Sequence, residues 1–124
     1  MTDQEVKELE GFIEDWFYDE QSHKFAQDLG KYLFSFIDHL HEQKLTNKTI
    51  DRHIDNCWAI GYLECGYGST DLFSPGKIFC GPEADYEYEY KRKFSDSKYA
   101  VSSYKATWNK LYKYTKQLGL LEDE

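Results

Sequence analysis

A chain of 124 residues is the size of one domain and can bury a single core. Hydrophobic residues make up 40% and aromatics 18%, which excludes a disordered chain, and no apolar run reaches the ~18 residues that argue for a membrane span. A net charge of −8 speaks against nucleic acid when taken alone, yet its distribution is polar. Residues 1–20 hold eight acids against one lysine, whereas residues 91–118 hold eight bases against one acid. The start is acidic and lacks an apolar signal region, and Cys57, Cys65 and Cys80 follow no motif spacing. The expectation is a cytoplasmic protein with reduced thiols.

Taken in order, Val6, Leu9, Ile13, Trp16 and Phe17 form one apolar stripe and predict a helix over about residues 3–18. Acids in its first turn suit the helix dipole. Ser22 is a candidate cap for a second helix over 22–43, in which Phe25, Leu29, Tyr32, Leu33, Phe36, Ile37 and Leu40 recur at steps of three and four. Thr46 and Asn47 offer caps to a third helix over 48–64, with Ile50, Ile54, Cys57, Trp58 and Gly61 on its apolar face. The short polar link makes helices two and three an antiparallel hairpin.

Residues 65–95 break that rhythm with Gly66, Gly68, Pro75, Gly76, Gly81 and Pro82, and read as a long irregular connection. Within it, Ala84 to Phe94 alternates aromatic and charged residues. That period suggests an extended segment with Tyr86, Tyr88 and Tyr90 on one face, with Lys77-Ile78-Phe79 as a ribbon partner. A helical continuation or an aromatic flap over the bundle is the alternative. A last helix over 96–118 has Ser95, Asp96 or Ser97 as cap and Gly119 beyond its end. Val101, Tyr104, Trp108, Leu111, Thr115 and Leu118 make its buried stripe. Lys98, Lys105, Asn109 and Lys116 fall within about 40° of one another beside that stripe, as a basic ridge.

Between Lys24 and Leu63, an apolar helix ending in F-x-x-x-L (Phe36, Leu40) is followed by L-T-x-K-T-I-x-x-H-I-x-N from Leu45 to Asn56. In this the chain resembles the SAM-like core-binding domain of phage-integrase-type tyrosine recombinases. The resemblance implies a four-helix bundle that clamps DNA. The family's arginine–histidine–arginine–tyrosine set has no room here, so the expectation is a stand-alone, mobile-element-associated bundle without recombinase activity. The whole chain, residues 1–124, then reads as one all-α domain: a four-helix SAM-like bundle with an irregular tyrosine-rich insertion before the last helix.

No catalytic constellation stands out. There is no CxxC or HxxxH pair, so no metal site is expected, and no glycine-rich phosphate loop precedes a helix, so no cofactor is implied. The sharper reading assigns nucleic-acid contacts, DNA in the first instance, to Lys91, Arg92, Lys93, Lys98, Lys105, Asn109, Lys113 and Lys116. The alternative is an acidic, tyrosine-rich protein-interaction or inhibitory module that uses Tyr86, Tyr88 and Tyr90 as anchors. The same charge polarity would let the acidic first helix of one copy meet the basic last helix of another.

Overall fold

The computed structural model describes residues 2–16, 20–68 and 72–121. Six helices run α1 (Asp3–Asp15), α2 (Glu20–His41), α3 (Asn47–Tyr67), α4 (Pro75–Ile78), α5 (Glu87–Lys93) and α6 (Lys98–Gln117). Among the described residues there is no strand, and the architecture is the all-α bundle of four long helices that the periodicity predicts. None of these helices is long and apolar enough to cross a membrane.

Local chemistry sets most of the boundaries. The Thr2, Thr46 and Ser97 hydroxyls accept the N–H groups of Glu5, Thr49 and Ala100, capping α1, α3 and α6. Gly119 (φ +74°) follows α6, and the Leu120 N–H returns to the Thr115 carbonyl. Several expected limits shift, among them the end of α3, which runs on through Gly66 to Tyr67 rather than stopping at 64. Helix α1 ends at Asp15, with 17–19 outside the described residues. Ser22 is buried inside α2, which starts at Glu20, so it is no cap. Leu118 is exposed, because the buried stripe of α6 stops at Thr115.

Phe25, Leu29, Leu33, Phe36, Ile37 and Leu40 of α2, Ile50 of α3, and Tyr104, Trp108 and Leu111 of α6 are all buried, as expected. Ile54 and Trp58 are only partly buried, since they flank α1 rather than the centre. The connection from α3 to α6 differs most from its reading. It is not a strand: irregular stretches join α4 to α5, and α5 is the helical alternative for the tyrosine-rich segment. It also delivers two buried aromatics. The Phe79 ring stacks on Tyr32 at 5.9 Å and meets Trp108 edge-on at 5.1 Å, plugging the space between α2 and α6. Tyr90 stacks on Tyr104 at 4.4 Å and holds α5 on α6.

Candidate functional site

Helix α3 lies between the acidic and basic helices. The indole of Trp16, 2% exposed, sits in a notch made by Gly30 of α2 and Gly61 of α3. A Cβ on Gly61 would overlap the Trp16 ring, so only glycine fits. Two indole hydrogen bonds fix the entry. Trp16 Nε1 donates to the Trp58 carbonyl and Trp58 Nε1 donates to Asp15, each at 3.0 Å. On the other flank of α3, His53 Nδ1 lies 2.7 Å from the Thr107 hydroxyl, and the Asn56 amide donates to Ser103 and Thr107 at 2.9 Å each. Ile54, Trp58 and Gly61 therefore face α1, while His53 and Asn56, roughly 140° around the helix, face α6.

The basic residues of α6 consequently lie on the flank of α3 away from α1. No ion pair between α1 and α6 occurs among the described residues. Glu87 instead takes both Lys105 at 2.8 Å and Lys91 at 3.0 Å, and these lysines hold its carboxyl below its ordinary range. Arg92 donates to the Tyr67 hydroxyl at 3.0 Å, and Lys93 lies over the Tyr62 and Tyr67 rings. Lys98, Lys113 and Lys116 are exposed along the outer face of α6, with Asn109 half-buried between them. Lys91, Arg92 and Lys93 of α5 and Lys105 of α6 are thus partly committed to the protein itself.

The three tyrosines do not share a face. Helical geometry sends residues two apart to opposite sides, and the period-two pattern that suggests a strand here belongs to α5. Tyr90 is buried, Tyr86 is half-buried, and Tyr88 is 71% exposed. Tyr86, the residue before α5, is left-handed (φ +65°), an unusual conformation for a bulky side chain.

That conformation brings the Tyr86 hydroxyl to Glu64, with which it hydrogen-bonds. Glu64 is 4% exposed, and burial, then the nearby Asp85 charge, pushes its carboxyl up to about 7. Gly68 completes the arrangement. A Cβ there would meet a Glu64 carboxylate oxygen and would lie 2.8 Å from the Tyr86 hydroxyl. Glu64, Asp85 and Tyr86 line a cavity of about 410 Å³ together with Phe25, Ser74, Lys77 and Ile78. Glu64 is readable in hindsight, because it falls on the stripe of Cys57, Ile60 and Gly61 at helical spacing, where a carboxylate is out of place.

Among the described residues no group of three or more His, Cys, Asp or Glu side chains is placed to hold a metal ion. Compared with protein-family models, curated proteins and solved structures, the chain matches none.

Proposed function

We propose that this chain is a non-enzymatic, cytoplasmic nucleic-acid-binding module that presents the outer face of α6 to phosphates. The observation that carries this reading is the separation of charge across α3, which leaves Lys98, Lys113 and Lys116 exposed and away from the carboxylates of α1. From Lys98 to Lys116 the ridge runs about 27 Å at the rise of an α-helix, enough to follow several phosphates. Lys98, Lys113 and Lys116 supply charge, and Asn109 is the residue on the ridge able to address a base edge. Lys91 and Lys105 contribute less, because Glu87 already holds them. The likeness of the α2–α3 segment to recombinase core-binding domains favours DNA and a mobile-element setting.

The test is fluorescence anisotropy of labelled duplex and single-stranded DNA. With about three phosphate contacts to duplex, affinity should fall roughly 40-fold between 50 and 200 mM salt. Absence of binding at the lower salt would overturn the proposal.

A second reading has its own observation. Tyr88 stands exposed between Glu87 and Glu89, and the carboxylates of Glu8, Glu10 and Glu14 are exposed on α1. A basic protein, or the α6 ridge of a second copy, suits either patch. Concentration-dependent sedimentation at low salt that collapses at high salt would favour a second copy over DNA.

A further inference from the structure

The cavity at the end of α3 is separate from the ridge and has a chemistry of its own. Its walls come from four places: Phe25 on α2, Glu64 on α3, Ser74, Lys77 and Ile78 at α4, and the Asp85–Tyr86 turn. At about 410 Å³ it falls in the range of small-molecule sites. Phe25 and Ile78 give it an apolar side, and Glu64 is the most buried of its polar residues.

A buried carboxyl is either paired with a cation or pushed towards its neutral form. None of the ion pairs among the described residues involves Glu64, whose hydrogen-bond partner is the neutral Tyr86 hydroxyl. The other described groups lining the cavity form no ion pair with it. Asp85 is a second carboxyl, Tyr104 is a buried phenol whose hydroxyl donates to the Asp85 carbonyl, and Lys77 is exposed. An anion would face two carboxyls here, and a neutral guest would do nothing to offset the cost of ionising Glu64. A monocation with an apolar body meets both demands.

We propose that this cavity binds a small organic amine, with its ammonium group on the Glu64 carboxyl and its hydrocarbon part against Phe25 and Ile78. Binding draws Glu64 into its ionised form, so part of a proton is released near neutral pH. Asp85 strengthens the attraction from the rim, and Lys77 opposes it.

Isothermal titration calorimetry of the full chain at pH 7 separates the possibilities, with phenethylamine as probe and 2-phenylethanol as its neutral counterpart. The amine should bind saturably and at least about tenfold more tightly than the alcohol. Its heat should differ between phosphate and Tris buffers because a proton is released. In Glu64→Gln, checked for folding by circular dichroism, the preference for the amine should vanish. Amide NMR shifts induced by the amine in the unsubstituted chain should centre on Glu64, residues 74–78 and Asp85–Tyr86. Equal binding of alcohol and amine, no binding of either at millimolar concentration, or shifts centred on another part of the molecule would each overturn the assignment. None of these outcomes bears on the α6 ridge, which anisotropy tests separately.

Discussion

Helix α3 is held on its two flanks by different physics. Towards α1 the contact is steric: a large ring fills a notch cut by two glycines, and two indole N–H groups orient it. Towards α6 the contact is polar: a histidine, an asparagine, a threonine and a serine satisfy one another in a buried seam. Shape fixes a partner through volume, so it fails when a carbon is added. A hydrogen-bonded seam fixes register, so it fails when a partner is removed or a proton is gained. The flanks are alike in importance and opposite in vulnerability.

The largest effect expected is on the steric flank. Gly61→Ala should expel Trp16 and cost about 3–5 kcal/mol, the range for losing a buried tryptophan, read from urea unfolding with a red shift in tryptophan emission. A neutral outcome would mean that the notch does not hold α1. Glu64→Gln, at the end of α3 and outside the seam, has an effect of the opposite sign. Folding raises this carboxyl from 4.5 to about 7, so its contribution is intact below pH 4.5 and is lost as pH rises through about 7. The variant should match the unsubstituted chain at pH 4 and exceed it by about 3 kcal/mol at pH 8 in denaturant melts.

A smaller loss is expected from Thr107→Val, which leaves the Asn56 amide and His53 Nδ1 without that hydroxyl and should cost about 1–3 kcal/mol. His53 adds a pH signature. Burial, then Lys110 and Arg52, lowers its pKa from the ordinary 6.5. Its contribution is therefore full above pH 6.5 and declines as pH falls below it, because the unfolded chain takes up the proton first. Replacing His53 by Gln should flatten that part of the stability profile. The smallest structural effect belongs to Glu87→Gln. This surface carboxylate should leave the melting temperature in place, while releasing Lys91 and Lys105 and tightening DNA binding in the anisotropy assay.

These contrasts explain how much of the molecule was legible in the sequence. The four long helices, two of the caps and most of the core followed from apolar spacing, since Leu29, Leu33, Phe36 and Trp108 each lie where a 3.6-residue period places them. The connection did not. Alternation from Asp85 to Tyr90 mimics a strand, but a strand needs a partner, and the burial of Tyr90 against Tyr104 favours a helix instead. The glycine notch depends on residues 16, 30 and 61 meeting in space, which no local pattern records. His53 and Thr107 are likewise 54 residues apart. The ridge on α6 was legible because all its members share one helix. Glu64 was obscured by the many other acids, although its position on an apolar stripe was a usable signal.

The α6 ridge should act independently of the acidic helix on the far side of α3. The most direct measurement compares DNA affinity and its salt dependence in two charge variants of the full chain. One neutralises α1 through Glu8→Gln, Glu10→Gln and Glu14→Gln, and the other removes ridge charge through Lys98→Ala, Lys113→Ala and Lys116→Ala. The α1 variant should keep the slope of log affinity against log salt, whereas the α6 variant should lose binding and nearly all of that slope. Unchanged binding in the α6 variant, or a slope that steepens once α1 is neutralised, would contradict it.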